Sequence, residues 1–212
     1  MSLKVIAGEY GSRVLKSIRG VGTRPLLGQV KGAIFNVLAD QLPDAFVWDL
    51  FAGTGATGIE ALSRGAERVV FVEKNNRVLD VLRGNLEMLG DSAKERGLVL
   101  RGDAWDPPFL NSSDDEGGVR APDLVFLDPP YAAVVEDPVK SVYRALQLVG
   151  CLAPGGCLVF HFQPGAIDED DIDDDDYAVE FRQWGSSAVA FMWRAGEEPD
   201  RVRNRMERAI GD

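Results

Sequence analysis

Two stretches of this 212-residue chain place a carboxylate at the end of an apolar run. In the first, Val47-Trp48-Asp49-Leu50-Phe51 leads into Ala52-Gly53-Thr54-Gly55-Ala56-Thr57-Gly58. Glycines let the backbone turn tightly and approach a ligand closely, and the helix that should follow offers unpaired N–H groups at its start. In the second, Leu124-Val125-Phe126-Leu127 runs into Asp128-Pro129-Pro130-Tyr131. Prolines fix φ and carry no N–H, which leaves the Asp128 carboxylate and the Pro129 carbonyl as acceptors for the two donors of an exocyclic NH2. Tyr131 adds a flat surface on which a base can stack. The pair of motifs suits a nucleotide-like cofactor bound beside a planar, amine-bearing substrate.

Gly53, Gly55 and Gly58 spell G-x-G-x-x-G, and Glu73 closes the next apolar run, Arg68-Val69-Val70-Phe71-Val72. An acid about 20 residues beyond the glycines holds ribose hydroxyls in dinucleotide sites, so the pattern alone admits a nicotinamide oxidoreductase. Asp49 argues against it, because a carboxylate at the strand end repels a diphosphate. A cofactor with a cationic, amino-acid-like end fits better, and S-adenosylmethionine carries an ammonium, a sulfonium and a ribose. Asp103, after Val99-Leu100-Arg101-Gly102, could accept a bond from an adenine amino group. Methyl transfer from a sulfonium to an amine is an in-line displacement that needs no metal. Acceptors at Asp128 and Pro129 would steady the positive charge growing on the nitrogen, and proximity supplies much of the rest. A second Asp-Pro-Pro-aromatic run, Asp106-Pro107-Pro108-Phe109, lies inside a loop and reads as a rigid turn.

These residues need a sheet to position them. Strands fall near 46–50, 69–73, 98–101, 123–127 and 157–162, with helices near 57–64, 75–89 and 134–149. This alternation predicts an α/β fold with a mostly parallel sheet covered on both faces, whose ligands lie at the carboxyl ends of the strands. Residues 177–184 and 187–193 predict an antiparallel hairpin that closes the sheet. Residues 3–7 and 13–18 predict an N-terminal hairpin around Gly8-Glu9-Tyr10-Gly11, and Val30, Ala33, Ile34, Val37 and Leu38 recur at helical spacing. The expected division is 1–25 hairpin and basic loop, 26–194 main domain, and 195–212 a charged tail that frays or forms a surface helix.

The formal net charge of −11 argues against strong non-specific binding to nucleic acid. Its distribution is uneven. Up to residue 31 the bases Lys4, Arg13, Lys16, Arg19, Arg24 and Lys31 face the single acid Glu9, a local +5. The acidic run 168–176 reads as a solvated loop without metal-loop spacing. Cys151 and Cys157 are too few for a disulfide framework or zinc cluster and read as buried thiols of a cytoplasmic protein. Neither a membrane span nor a secretory leader is legible.

With these residues assembled, the chain resembles the RsmD-type bacterial 16S ribosomal RNA guanine-N2 methyltransferases. The resemblance runs through Val5-Ile6-Ala7-Gly8, Gly11-Ser12-Arg13-Val14-Leu15, Thr23-Arg24-Pro25, Ala33-Ile34-Phe35-Asn36, Asp49-Leu50-Phe51-Ala52-Gly53-Thr54-Gly55, Phe71-Val72-Glu73-Lys74, Gly102-Asp103-Ala104 and Asp128-Pro129-Pro130-Tyr131. It implies a class I, Rossmann-like methyltransferase preceded by a β-hairpin. S-adenosylmethionine would sit at Asp49, Phe51, Gly53, Thr54, Gly55, Glu73, Lys74, Asp103 and Ala104. Catalysis would fall to Asp128, Pro129, Pro130 and Tyr131. The hairpin and Thr-Arg-Pro loop would grip ribosomal RNA or a small-subunit assembly particle through Arg13, Lys16, Arg19 and Arg24, with no metal and a monomeric protein. After Thr-Arg-Pro the family usually reads Thr/Ser-x-Asp-Arg-Val-Lys/Arg-Glu, where this chain has Leu26-Leu27-Gly28-Gln29-Val30-Lys31-Gly32.

Two other readings share the motifs: an adenine-N6 methyltransferase on DNA or RNA, and a catalytically silent RNA-binding assembly factor. The Asp-Pro-Pro-Tyr run does not distinguish adenine from guanine, while the N-terminal signature favours guanine. His161, the lone histidine, sits on an apolar strand and reads as structural. Trp184 and Trp193 read as packing residues of the closing hairpin.

Overall fold

The computed structural model describes residues 3–18, 28–110, 120–172 and 175–203. Arg19, Arg24, the Thr-Arg-Pro loop, the 111–118 loop and the end of the C-terminal tail lie outside the described residues. Strands β3 (Phe46–Leu50), β4 (Arg68–Glu73), β5 (Gly97–Arg101), β6 (Leu124–Leu127), β7 (Cys157–Phe162), β8 (Tyr177–Trp184) and β9 (Ser187–Arg194) form one sheet in the order β5-β4-β3-β6-β7-β9-β8. The first five are parallel, and β9 runs antiparallel to both β7 and β8. Every residue of β3, β6 and β7 is buried, as expected of strands covered on two faces. Helices α1 (Gly28–Val37), α2 (Ala56–Ser63), α3 (Asn76–Leu89) and α4 (Asp91–Arg96) join one core, and α5 (Tyr131–Glu136) and α6 (Pro138–Val149) join the other.

Strand order reverses between β3 and β6. Leu50 pairs with Leu127, so the two strands end side by side and their following residues, Phe51 and Asp128, open into one crevice. Close approach of α2 to the sheet depends on Gly58. A Cβ there would lie 2.3 Å from the Phe71 ring and 2.8 Å from Asp49 Oδ2.

The N-terminal hairpin differs from expectation. Its paired strands, β1 (Leu3–Lys4) and β2 (Val14–Leu15), are only two residues each. Beyond them the backbone donors turn to the body. Ile6 N and Ala7 N donate to the Glu60 carboxylate at 2.7 and 3.1 Å, and Lys16 N donates to Asn85 Oδ1 at 2.9 Å. Gly8 has φ +84° and lies so close to Ser63 that any side chain would meet its carbonyl. The hairpin is therefore bolted to α2.

Other elements refine the expectations. The single helix expected at 134–149 is two helices, because Asp137 caps Lys140 N at 3.1 Å and Pro138 starts a new first turn. Helix α4 is an addition to the expected elements. The described part of the tail is helical over 200–203, one of the two expected forms, and it packs on the body: Val202 is buried, and Arg201 donates to the Val37 carbonyl at 3.0 Å. The acidic run holds a short 3-10 turn, Glu169–Ile172, anchored by buried Ile172; residues 173 and 174 lie outside the described residues. No helix among the described residues is long and apolar enough to cross a membrane.

Glu60 has 0% exposure and also pairs with Lys31 Nζ at 3.0 Å and Arg64 Nε at 2.9 Å. Burial raises its pKa, but the Ile6 N–H and the Lys31 ammonium more than compensate and hold it below the ordinary carboxylate range. Glu60→Ala strands two N–H groups and a buried ammonium. It should cost about 3–5 kcal/mol in urea unfolding, with Glu60→Gln costing less; a loss under about 1 kcal/mol, typical of exposed pairs, would show that the network is dispensable.

Candidate cofactor and substrate site

A cavity of about 280 Å3 opens at the carboxyl ends of β3, β4 and β6. Its walls include Asp49, Phe51, Gly53 and Thr54 from the glycine turn, and Glu73 and Lys74 from the end of β4. Ala104, Asp128 and Pro130 complete the wall opposite. The two motifs, 79 positions apart from Asp49 to Asp128, thus share one space.

The turn is shaped from within. Gly53 has φ +55° and Gly55 φ +88°, and Phe51 takes φ +61°, a conformation that a bulky residue adopts only under constraint. Gly53 N donates to Glu73 Oε2 at 3.2 Å, and Asn75 N to Glu73 Oε1 at 2.8 Å. One oxygen of Glu73 therefore steadies the turn while its side chain lines the cavity. Asp49 Oδ2 accepts from Gly58 N at 2.8 Å, leaving Oδ1 unclaimed among the described residues. Burial pushes the Asp49 carboxyl up to about 7; the Gly58 N–H opposes this, and the neighbouring Asp128 and Glu73 carboxylates add to it. Such a group welcomes an incoming cation.

Four of the residues singled out from sequence stand off the cavity wall. Gly55 faces α3, where a Cβ would meet Leu82 at 2.3 Å. Asp103 is exposed, and its carboxylate accepts from Trp105 N at 3.0 Å, closing its own turn; Gly102 and Ala104 on either side are the wall. Pro129 is buried behind Pro130. Tyr131 is half-buried, with its hydroxyl turned inward to His161, Ser186 and Ser187. The Asp106 run is a turn, with Phe109 packed on Trp48 at 4.5 Å.

Sequence reasoning missed two contributors. The N-terminal arm lines the cavity through Leu3, Ser17 and Ile18. Buried Asn85 ties it there, donating to the Lys16 carbonyl at 3.0 Å and the Thr54 carbonyl at 2.9 Å. His161 is the other: its Nδ1 lies 2.6 Å from Asp128 Oδ1. The strand pairing Leu127 with Phe160 implies that residue 161 falls beside Asp128, but only once the strand order is known. Arg13 and Lys16 are exposed on the arm. Among the described residues, no three His, Cys, Asp or Glu side chains are placed to hold a metal ion. Cys157 is buried, which pushes its thiol up, and Cys151 is half-buried.

The family described as "Conserved hypothetical protein 95" matches residues 3–192. "Putative rRNA methyltransferase YlbH" of Bacillus subtilis is 37% identical over 157 residues, 74% of this chain and 80% of that protein. "Ribosomal RNA small subunit methyltransferase D" of Haemophilus influenzae is 36% identical over 129 residues, 61% of this chain; the match spans 64% of that relative's length. Among solved structures, the Escherichia coli protein named "Putative methyltransferase yhhF" has a TM-score of 0.71 at 25% identity, covering 92% of this chain and 98% of that one.

Asp49 carries a pH dependence. Its folded-state pKa is raised, so the ligand-free folded protein binds the proton more tightly than the unfolded chain. Stability contributed by the neutral carboxyl is present at low pH and lost as pH rises between about 4 and the folded value of about 7. Asp49→Asn keeps an acceptor for Gly58 N and removes the titration. The melting temperature of the variant relative to wild type should climb across that window in the absence of ligand. A difference that stays flat with pH would mean Asp49 does not titrate there.

Proposed function

The chain belongs to the RsmD-type methyltransferase family, with the class I fold, and we propose that it methylates the exocyclic N2 of a guanine in small-subunit ribosomal RNA. The observation that carries this reading is the shared cavity: Asp49 and Glu73 line one part of it, and Asp128 and Pro130 another.

The residues fit S-adenosylmethionine, which supplies an electrophilic methyl group on a sulfonium that leaves with its electron pair as a thioether. Asp49 Oδ1 is the acceptor for the ammonium. Glu73 meets the ribose hydroxyls with the capacity left after Gly53 N and Asn75 N. Gly102 and Ala104 offer the wall for the adenine. Phe51 and Val78 keep that space apolar, so charges inside it interact strongly.

Asp128 does the work on the substrate side. It accepts an N–H of the amine, draws the nitrogen towards attack, and takes the proton that the nitrogen sheds once it carries the methyl group. Pro129 and Pro130 supply rigidity and a carbonyl acceptor. Tyr131, whose hydroxyl is held by His161, Ser186 and Ser187, presents its ring edge-on to His161 at 5.3 Å, one residue beyond cavity-lining Pro130. The exposed Arg13 and Lys16 hold the RNA backbone beside the arm that lines the cavity.

Methyl incorporation should appear at guanine N2 in small-subunit particles or naked ribosomal RNA and not in duplex DNA; incorporation only at adenine N6 in DNA would promote the adenine reading. Asp128→Ala should abolish incorporation while S-adenosylhomocysteine binding survives, and Asp106→Ala should cost far less. Separately, reversing Arg13 and Lys16 to Glu should weaken RNA binding and lower its salt slope by about 1 for each phosphate left without its cation. Cofactor affinity should hold. An unchanged salt slope would move the RNA site off the arm.

A further inference from the structure

Asp128 stands at a strand end, and among the described residues its carboxylate has one hydrogen-bond partner, His161 Nδ1 at 2.6 Å. His161 is itself buried, on β7, one residue beyond the Leu127–Phe160 pair. Its other nitrogen, Nε2, lies 2.9 Å from the Tyr131 hydroxyl. That hydroxyl reaches Ser187 Oγ at 3.2 Å and the Ser186 carbonyl at 3.3 Å. A chain of four side chains thus runs from the β8–β9 hairpin to the cavity: Ser187, Tyr131, His161, Asp128.

An ionised carboxylate only accepts hydrogen bonds, so the proton between His161 and Asp128 belongs to Nδ1. In the neutral ring Nε2 is then bare, and the single proton of the Tyr131 hydroxyl goes to it at 2.9 Å rather than to the more distant Ser186 carbonyl at 3.3 Å, with Ser187 Oγ donating to the tyrosine oxygen. We propose that His161 is a positioning residue for the methyl transfer, holding Asp128 Oδ1 so that Oδ2 faces the substrate amine, with the Tyr131 hydroxyl supporting the same tautomer from Nε2. The inference rests on the reading of Asp128 given above. It also gives Tyr131 a second task beside stacking, since a hydroxyl held by His161, Ser186 and Ser187 is not needed to stack a base.

The geometry favours this over a merely structural histidine. A strand residue that only filled space would need no charge-assisted bond at 2.6 Å to a cavity-lining acid. Without the Nδ1 donor, Asp128 is free to rotate about two side-chain torsions. Misplacement of an acceptor by about 1 Å costs on the order of 100-fold in rate.

Asparagine and glutamine separate the two ring nitrogens: the amide of Asn reaches the place of Nδ1, that of Gln the place of Nε2. In the 212-residue chain assayed on small-subunit ribosomal RNA, His161→Gln should lower kcat on the order of 100-fold, leaving KM for RNA and the affinity for S-adenosylhomocysteine unchanged. His161→Asn should restore kcat to within a small factor of wild type. Equal rates for the two variants, or a loss that appears in KM alone, would overturn the inference. The chain has one histidine, so 15N spectra of the wild-type ring are unambiguous and do not depend on either variant folding. They should show Nδ1 protonated and Nε2 bare, and the Nδ1 signal should move in Asp128→Asn. A ring protonated at Nε2 alone refutes the assignment. If wild type methylates no RNA while the spectra show the Nδ1–H tautomer, the proposed reaction fails and the Asp128–His161 pairing stands.

Discussion

The Glu60 carboxylate has no contact with solvent, so its charge has to be met inside the protein. Four donors meet it: Ile6 N, Ala7 N, Lys31 Nζ and Arg64 Nε. Two come from the N-terminal arm, one from α1 and one from the end of α2's own last turn. A buried charge left without partners costs several kcal/mol, so these segments fold around it together or not at all. The consequence reaches the site, because α2 begins at the glycine turn. Lys31 Nζ lies 3.2 Å from the Ala56 carbonyl and 3.2 Å from that of Lys4. The arm proposed to carry RNA and the turn proposed to carry the cofactor are thereby parts of one rigid piece. Asn85 clamps the same two parts again from α3.

The second constraint is the close approach of α2 to the sheet. Gly58 lets the helix sit against Phe71, and its N–H then points at Asp49. A carboxylate that fixes a helix N-terminus is stabilised by the N–H groups there. At Asp49 that contribution falls short of the cost of burial, and two nearby carboxylates add to the cost. The site is left short of positive charge, a condition that a cationic ligand relieves. Phe51, held at φ +61° next to this carboxylate, shows where backbone strain is stored.

Much of this is readable along the chain. The strands at 46–50 and 157–162, the closing hairpin and the two acidic strand ends carry strong local signals: apolar runs, glycine turns and prolines. They fall within a residue or two of expectation because strands buried on both faces read as short, near-continuous apolar runs bounded by turn residues. Features built from distant contacts leave no such trace. His161 meets Asp128 across 33 positions and Lys16 meets Asn85 across 69. Neither residue has a local pattern that announces its partner, so a lone histidine and a mid-helix asparagine read as ordinary. Asp103 errs in the opposite direction. It stands at a strand end like the other acids, yet a turn two residues long captures its carboxylate. The break between α5 and α6 is written in Asp137-Pro138, but the longer apolar periodicity masks it.

Three carboxylates, Asp49, Glu73 and Asp128, line one small cavity with Lys74 and with Lys31, whose charge is met by Glu60, so acid predominates there in a protein of net charge −11. That arrangement has opposite effects on the two parts of a nucleic acid. A phosphate entering it would meet like charge at short range in a medium that screens poorly. A base has no charge, and its amine offers only donors to acceptors. On the proposed function, this field would admit the base and turn the backbone away, towards the exposed Arg13 and Lys16 on the arm. The same field suits the proposed reaction, in which positive charge passes from a sulfonium to a nitrogen: both ends of that transfer lie among acceptors already in place, so little reorganisation is needed as the charge moves. An acidic protein with a small basic arm is therefore consistent with an RNA substrate. In the proposed function the arm would supply the attraction, and the acidic cavity would select which part of the RNA enters.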